Sequence, residues 1–212
     1  MMHWETVNDQ LKKCLLELMN AVEFKNFRLV GGTALSLQLG HRLSVDIDLF
    51  TDDDYGTVDF DAIEKYLHNN FNYVDTGFGG LPGMGKSYIV GTDNENTVKL
   101  DVYYSMDKFI EPYIEVEGVR MATLEEIIAM KVDVVLRGGR KKDFWDLHEL
   151  FSTYDIQKML SLHKIRCEYT HDESQIIKNF TDFTYADNDF DPICLKGKYW
   201  EFIKEDIQEQ IK

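Results

Sequence analysis

The segment 27–50, FRLVGGTALSLQLGHRLSVDIDLF, constrains the fold of this chain more than any other part of it. It opens with four mostly apolar residues that predict a short buried strand, and Gly31 and Gly32 end that run. A helix is predicted over 33–39. Residues 44–50 then alternate strictly between polar and apolar side chains, which is typical of a strand with one polar face. The segment therefore predicts a strand, a helix and a second strand in close succession.

The remaining hydrophobic patterns divide the chain into two halves. Strand and helix patterns alternate in the first half, whereas only helical patterns and loops follow the capping box TLEE that begins at Thr123. We expect an α/β (α+β) fold, with an α/β domain over 1–122 and a mostly helical C-terminal region over 123–212 packed on it. Besides the opening segment, the patterns predict helices at 5–22, 60–67, 123–137 and 141–151, strands at 88–90 and 97–104, and an edge strand or hairpin at 113–121.

Composition and charge restrict the class of protein. The chain has 212 residues, 44% of them hydrophobic, and a formal net charge of −15. A field of that sign repels nucleic acid unless a local basic patch compensates. Three cysteines without a CxxC pair argue against a disulfide framework and favour a reducing cytoplasm. Because neither a signal peptide nor a membrane-spanning stretch is expected, we predict a cytoplasmic protein with no membrane partner.

Two aspartates give the second strand of the opening segment its chemistry. Asp46 and Asp48 lie on its polar face, with Cα atoms about 7 Å apart by the rise of a strand. Asp101 lies on the polar face of the strand predicted at 97–104. If the two strands are neighbours, three carboxylates converge, and such hard oxygen ligands suit Mg²⁺ or Mn²⁺ carrying the phosphates of a nucleoside triphosphate (NTP). Asp101 is also our candidate to accept a proton from an attacking hydroxyl.

The glycine pair predicts a phosphate site beside these carboxylates. Gly31 and Gly32 lack Cβ atoms, so phosphates can approach their backbone closely. A helix beginning at Thr33 adds free N–H groups and the positive end of its dipole. The hydroxyl of Thr33 or Ser36 is expected to add a hydrogen bond, and Arg42 is a candidate bidentate phosphate ligand.

In this order along the chain, the motifs resemble those of the DNA polymerase beta-like nucleotidyltransferase superfamily. Three stretches are more narrowly similar to the AbiEii/AbiGii toxin family, namely VGGTALSLQLGHRLSVDIDLF, VKLDVYY and KVDVVLRGGRKKDFWDL. The closing stretch DFTYADNDFDPICLKGKYWEFIK is similar as well. The resemblance covers nearly the whole chain and is weakest over 52–91.

The resemblance implies a nucleotidyltransferase-like mixed β-sheet flanked by helices, with a helical C-terminal region. It also implies Mg²⁺-dependent transfer of a nucleoside monophosphate (NMP) from an NTP to an acceptor hydroxyl. Family members are toxins of toxin–antitoxin or abortive-infection pairs and some relatives modify tRNA, so a tRNA or protein acceptor and a cognate antitoxin are the implied partners. The chain departs from the family at Val134, where alanine is common. Its acidic balance also disfavours an RNA acceptor.

Matching positions extend the candidate site to the second half of the chain. The resemblance implies that Lys131 and Asp143 are catalytic, with Arg137 and Asp146 in the same cluster. Without it, simpler explanations are a lysine lying along an apolar helix face and aspartates paired with the basic residues at 140–142. The complete assignment is Asp46, Asp48 and Asp101 for metal; Asp101, Lys131 and Asp143 for catalysis; and Gly31, Gly32, Thr33, Arg42 and Arg137 for nucleotide.

Two alternatives stay open from the sequence. One is a catalytically inactive protein of the same fold that binds nucleotide or antitoxin. The other is a P-loop NTPase using Lys86 and Ser87, because GLPGMGKS at 80–87 matches the pattern GxxxxGK[ST]. A P-loop needs a helix after it, whereas SYIVGT predicts a strand. Five histidines show no paired metal-ligand spacing and receive no role, namely His41, His68, His148, His163 and His171.

Overall fold

The computed structural model describes residues 1–77 and 83–211. Within those ranges the helices are α1 (Asp9–Asn20), α2 (Gly31–Leu39), α3 (Phe60–Asn70), α4 (Leu124–Leu136), α5 (Lys141–Leu150), α6 (Ile156–Arg166), α7 (Glu173–Phe180) and α8 (Trp200–Ile211). The strands are β1 (Arg28–Leu29), β2 (Asp46–Thr51), β3 (Tyr73–Asp75), β4 (Gly85–Gly91), β5 (Thr97–Tyr104), β6 (Ile114–Val116) and β7 (Val119–Met121). The predicted helices and strands are therefore confirmed, and β3 is an edge strand that the patterns did not reveal.

The strands form one mixed sheet in the order β3-β4-β5-β2-β1-β7-β6. β2 runs parallel to β5, and β1 runs parallel to β7. The other neighbours are antiparallel, including the β6–β7 hairpin, which turns at Glu117 and Gly118 with positive φ at both residues. β2 and β5 are thus interior strands of the sheet, and the α/β class with a mixed sheet flanked by helices is confirmed.

The alternation predicted for the second strand of segment 27–50 holds within β2. Ile47 and Leu49 are fully buried in the core, and the polar side chains between them point to the opposite face. The prediction that Val45 shares the apolar face is wrong, since Val45 is 65% exposed. The strand begins only at Asp46 because the backbone N–H of Ser44 donates to the carbonyl oxygen of Thr6 (2.8 Å) rather than to a neighbouring strand.

Most of the helices have an N-cap residue whose side chain accepts a hydrogen bond from the first turn, but α2 does not. The capping residues, whose side chains accept from a backbone N–H in the first turn, are Asn8, Asp59, Thr123, Asp155 and Asp172. α2 follows β1 directly, and its N-cap residue Val30 has no oxygen with which to cap it. The helix begins at Gly31, two residues before the predicted start at Thr33, so both glycines form part of its first turn.

The P-loop alternative does not survive the structure. Its first residues, 80–82, lie outside the described ranges, but Lys86 and Ser87 are in β4, an antiparallel neighbour of β5. No helix follows them, as a P-loop requires. The ammonium of Lys86 pairs with the carboxylate of Glu64 on α3, so the lysine contributes to contacts between the sheet and a helix.

The two halves of the chain share one hydrophobic core. Leu35 and Leu100 from the first half lie in the same cluster of buried side chains as Ile128 and Trp145 from the second. The predicted boundary near Ala122 falls between β7 and α4. The division into a domain over 1–122 and a helical region over 123–212 stays a prediction. Of the helices described, none combines the length and the apolar character needed to cross a membrane.

Candidate active site

Asp48 and Asp101 lie side by side on the two interior strands. The parallel register of β2 and β5 pairs Asp48 with Asp101 and Asp46 with Lys99. Paired positions on adjacent strands are separated by about 4.8 Å and point to the same face of the sheet. The two strands are therefore neighbours, as the predicted convergence of the three carboxylates requires. Lys99 lies beside these carboxylates.

The three carboxylates carry more negative charge than nearby cations neutralise. Burial raises the pKa of the Asp48 carboxyl to about 6, and the neighbouring Asp101 and Asp46 carboxylates add to that rise. Asp101 accepts a hydrogen bond from the ammonium of Lys99 through Oδ2. Its Oδ1 is buried and has no hydrogen-bond partner among the described residues. A buried oxygen in that state is costly unless a cation or a proton binds it.

These features fit the divalent metal that the family resemblance implies. Asp46, Asp48 and Asp101 supply hard oxygen ligands from adjacent strands. The unpartnered Oδ1 of Asp101 provides a free ligand atom, and the crowding that raises the pKa of Asp48 is what a bound cation would relieve. We infer that these three residues would hold the ion.

Metal affinity is expected to rise with pH through about pH 6. A proton on Asp48, whose pKa is raised to about 6, competes with the cation for the same carboxylate. Titrating Mn²⁺ by electron paramagnetic resonance between pH 5 and pH 8 should show tighter binding at higher pH, with a midpoint near 6. Asp48→Asn should lose this pH dependence, and an unchanged profile in that variant would contradict the assignment.

The first turn of α2 lies directly against Asp48. The backbone N–H of Val30 donates to the carbonyl oxygen of Asp48 (2.9 Å). Gly31 has a φ of +67°, and a Cβ at that position would lie 2.8 Å from Oδ2 of Asp48. Since no side chain caps α2, its first N–H groups and the positive end of its dipole remain available to an anion beside the carboxylates. Gly31 thus brings the proposed phosphate site and metal site into contact.

Gly31→Ala is expected to weaken Mn²⁺ binding by more than roughly tenfold. The added methyl group meets the Asp48 carboxylate, and the positive φ of Gly31 strains any residue with a Cβ. Gly56→Ala is a matched control, because Gly56 also has a positive φ (+86°) but nothing within 4 Å of an added Cβ. Each variant should lose about 1–2 kcal/mol of stability in urea unfolding, whereas Mn²⁺ binding should suffer in Gly31→Ala alone. Equal Mn²⁺ affinities in the two variants would argue against this contact.

Neither of the two hydroxyls expected at the phosphates is available to a substrate. Thr33 is 1% exposed, and its Oγ1 donates to the carbonyl oxygen of Asp46 and lies 2.8 Å from Oγ of Ser44. Ser36 is fully buried, so its hydroxyl cannot reach a substrate. A contribution of Thr33 to nucleotide binding is therefore restricted to its backbone N–H, while its side chain fixes the start of β2.

A buried ion-pair network joins the segment after α2 to helices α4 and α5. Asp146 on α5 accepts from Nε and Nη2 of Arg42 (2.7 and 2.9 Å) and lies 2.8 Å from Nε2 of His41. The ammonium of Lys131 on α4 lies 2.6 Å from Asp143 and 2.8 Å from Asp146. Burial alone would raise the pKa of Asp146, but the charges of Lys131 and Arg42 hold it well below its ordinary value. Asp146 is thus a fully buried anion shared by two cations.

This network changes how Arg42 enters the site. The sequence predicts its guanidinium as a bidentate phosphate ligand, but the structure places that fork on Asp146. Arg42 is 3% exposed, and a Cβ on Gly32 would lie 2.4 Å from its Nη2. Gly32 therefore provides space for the guanidinium of Arg42. The Arg42–Asp146 ion pair packs against the first turn of α2 through this contact.

The basic cluster at 137–142 is only partly available to a ligand. Arg137 is exposed and pairs with Asp133, one turn earlier on α4. It lines a surface cavity of about 320 Å³ whose lining includes none of the three carboxylates. Lys141 is buried and pairs with Asp191 (2.8 Å). The proposed contact of Arg137 with nucleotide stays a prediction, and it has no geometric support.

Lys142 is the member of that cluster whose charge interacts with Asp46. Burial and the charges of Arg140, Lys131 and Arg42 lower its pKa, whereas Asp46 acts in the opposite direction. No carboxylate within the described ranges lies at salt-bridge distance from its ammonium. In the sequence, Lys142 is one of several neighbouring basic residues, and no local pattern relates it to Asp46.

Comparison with known proteins identifies the family and the fold. Residues 13–211 match the nucleotidyl transferase AbiEii toxin family of type IV toxin–antitoxin systems. An uncharacterised protein of Aquifex aeolicus (strain VF5) is 28% identical over 202 residues, which cover 88% of this chain and 87% of that protein.

Two solved structures share the fold at low sequence identity. A candidate nucleotidyltransferase from Helicobacter pylori superposes with a TM-score of 0.60 at 19% identity, over 99% of this chain and 91% of the other. The nucleotidyltransferase toxin MenT4 from Mycobacterium tuberculosis superposes with a TM-score of 0.57 at 14% identity, over 93% of this chain and 78% of the other. The family match over residues 13–211 leads to one conclusion: this chain belongs to the AbiEii family of nucleotidyltransferase toxins.

Proposed function

We propose that the protein transfers an NMP from an NTP to an acceptor hydroxyl in a reaction that depends on Mg²⁺ or Mn²⁺. The observation that carries the proposal is the pairing of Asp48 with Asp101 across β2 and β5, directly beside the uncapped first turn of α2. A divalent metal bound there would neutralise the triphosphate and the pyrophosphate that leaves. The carboxylates and the helix N-terminus therefore meet both requirements of a nucleotidyl donor site.

The residues of the chain have separate roles in this proposal. Backbone N–H groups of Gly31, Gly32 and Thr33 bind phosphate oxygens. The carboxylate of Asp101 accepts the proton of the acceptor hydroxyl. The acceptor oxygen bonds to the α-phosphorus, the bond to the bridging oxygen of the β-phosphate breaks, and pyrophosphate leaves. Because Lys131 and Asp143 are buried and bonded to each other, we assign them a positioning role.

We assign phosphate binding to the ammonium of Lys142, where the sequence predicted Arg42. Lys142→Gln is expected to raise the KM for NTP by roughly tenfold with a smaller effect on kcat, because a lost ground-state contact acts mainly on binding. Lys164→Gln is a suitable control, since Lys164 is exposed on α6. Steady-state kinetics with a single NTP would test the prediction, and equal KM values in the two variants would refute it.

The proposal also covers the biological role. The matched family consists of toxins of type IV toxin–antitoxin systems, so we propose that the chain is the toxin of such a pair and has a cognate antitoxin. Its acceptor is tRNA or protein. Expressing the chain in a bacterial host should arrest growth, and co-expressing the product of the adjacent reading frame should restore it. Arrest by Asp101→Asn as strong as that by wild type would contradict a catalytic basis for toxicity.

The decisive assay follows the label of NTPs carrying ³²P at the α- or the γ-phosphate. Purified protein, each NTP, Mg²⁺ and total cell extract should yield α-labelled RNA or protein and no transfer of γ-label. Lys86→Ala should retain α-transfer, because Lys86 lies on β4, pairs with Glu64 on α3 and is not part of a P-loop. No incorporation with any NTP would instead favour an inactive protein that binds nucleotide or antitoxin.

A further inference from the structure

A second group of potential metal ligands lies between α4 and α6. Oxygen, nitrogen and sulfur atoms of Asp133, His163 and Cys167 all lie within 4.8 Å of one another. His163 is fully buried and Cys167 is 2% exposed, while Asp133 is partly exposed and provides a route from solvent. These three side chains differ from those assigned to the nucleotidyl site, and their sulfur ligand gives them a different metal preference.

The imidazole of His163 has a nitrogen that points into this group without a partner. Its Nδ1 lies 2.8 Å from Nδ1 of His171, so one ring donates to the other. Its Nε2 is buried and makes no hydrogen bond within the described part of the chain. The nearest anion is Oδ1 of Asp133, and its distance of 3.5 Å is long for a hydrogen bond.

The spacing suits a tetrahedral ion. Zn²⁺ binds imidazole nitrogen and carboxylate oxygen at about 2.0–2.2 Å and thiolate sulfur at about 2.3 Å, so neighbouring ligand atoms lie about 3.3–3.8 Å apart. The 3.5 Å between Nε2 of His163 and Oδ1 of Asp133 falls within that interval. His163 and Cys167 are four residues apart at the end of α6, so they project from the same side of the helix.

We propose that Asp133, His163 and Cys167 bind a zinc-class transition-metal ion that ties α4 to α6. Nε2 of His163, Sγ of Cys167 and Oδ1 of Asp133 are the ligands, and water takes the fourth position. Nδ1–H of His163 donates to His171, which fixes the tautomer that leaves Nε2 free. In the metal-free protein the thiol donates to Oδ2 of Asp107 (3.7 Å), and metal binding releases that proton to solvent.

The probe for this site is Co²⁺ added to the metal-free, reduced full-length protein. A single Co²⁺ per chain should produce a thiolate-to-cobalt charge-transfer band and the strong visible bands of a tetrahedral ion. Zn²⁺ should displace it, whereas excess Mg²⁺ should not, because Mg²⁺ prefers oxygen ligands in octahedral geometry. The thermal midpoint of the protein should rise with Zn²⁺ concentration.

Single substitutions distinguish this site from the nucleotidyl site. Cys167→Ser should abolish the charge-transfer band, and Asp133→Asn should weaken Co²⁺ binding at least about tenfold. Cys194→Ser is the matched control, since Cys194 accepts from the backbone N–H of Lys196 and lies outside the cluster. Asp48→Asn should keep the band, so failure at one metal site is distinguishable from failure at the other.

A second variant allows the metal site to be tested even if Cys167→Ser does not fold. If circular dichroism shows that Cys167→Ser is unfolded, His171→Leu replaces it. Loss of the His171 acceptor should weaken Co²⁺ binding about 10–100-fold without removing a ligand. Absence of the band in wild type, its persistence in folded Cys167→Ser, or unchanged affinity in His171→Leu would each overturn the proposal. In that case the histidines and Asp133 form only a hydrogen-bonded chain.

Discussion

Asp48→Asn is expected to reduce nucleotidyl transfer by on the order of a thousandfold while the protein remains folded. The substitution removes the charge of one proposed metal ligand at the point where β2, β5 and α2 meet. Metal stabilisation of a transferring phosphate contributes several kcal/mol, and about 1.4 kcal/mol corresponds to a factor of ten in rate. The measurement is the initial rate of α-label transfer at saturating NTP and Mg²⁺.

The stability of the same variant provides an independent check. Because the folded protein raises the pKa of Asp48 from 3.8 to about 6, ionising this group costs stability as the pH rises through that interval. Asp48→Asn has no such cost, so without metal it should be at least as stable as wild type in urea at pH 8. At pH 4 and below the advantage should disappear, because Asp48 is then protonated in wild type as well.

Asp75→Asn is the matched control, since Asp75 is an exposed aspartate on the edge strand β3 of the same sheet. It should leave both the transfer rate and the pH dependence unchanged. An Asp48→Asn variant that keeps most of its activity would remove Asp48 from the metal site. An inactive variant that has also lost several kcal/mol of stability would point to a structural role for the side chain instead.

Local patterns explain why part of this site is visible in the sequence. The period of two in β2 places Asp46 and Asp48 on one face without reference to the rest of the chain. The two glycines before a helix are equally local. The pairing of Asp48 with Asp101 depends on β2 and β5 being parallel neighbours, and no single segment specifies that register. Sequence reasoning therefore identified these residues, while only the fold brings them together.

The residues whose contacts in the structure differ from the predicted ones have partners that are distant in the sequence. Arg42 has the chemistry of a phosphate ligand, and its actual partner Asp146 is 104 residues later. The register of β2 and β5 places Lys99 beside Asp46, and the charge of Lys142 on α5 interacts with Asp46. The spacing of His163 and Cys167 was a usable signal, but their third partner Asp133 belongs to another helix. Long-range packing, rather than residue type, set the limit of prediction.

Asp146→Asn is expected to destabilise the protein by about 3–5 kcal/mol, the cost of breaking a buried ion pair from one side. Arg42 and Lys131 would keep their charges in a site where both are buried, with only Asp143 left close to Lys131. Asparagine has nearly the same volume as aspartate, so loss of charge rather than a cavity causes the effect. Urea unfolding followed by circular dichroism would measure it, with an unchanged dependence on denaturant showing that the unfolded state is the same.

Asp54→Asn supplies the comparison with an exposed pair. Asp54 and Lys108 lie 3.8 Å apart with side chains 91% and 73% exposed, so losing that pair should cost no more than about 1 kcal/mol. If Asp146→Asn also lowered the free energy of unfolding by less than about 1 kcal/mol, water or a rearrangement of the protein would have to stabilise the buried charges of Arg42 and Lys131.

The pH dependence of Asp146→Asn follows from the sign of the shift. The folded protein holds the pKa of Asp146 well below 3.8, so its contribution to stability is complete above that pH and is lost only as the pH falls through the folded value. The difference between wild type and Asp146→Asn should therefore stay constant from pH 8 to pH 5 and shrink only in stronger acid. Because Arg42 lies against Gly32, the variant should also bind NTP less tightly even where it remains folded. A stability difference with this pH dependence, together with weaker NTP binding, would show that the buried network holds the first turn of α2 in place. An ion pair with only a structural role elsewhere in the protein would change stability but not NTP binding.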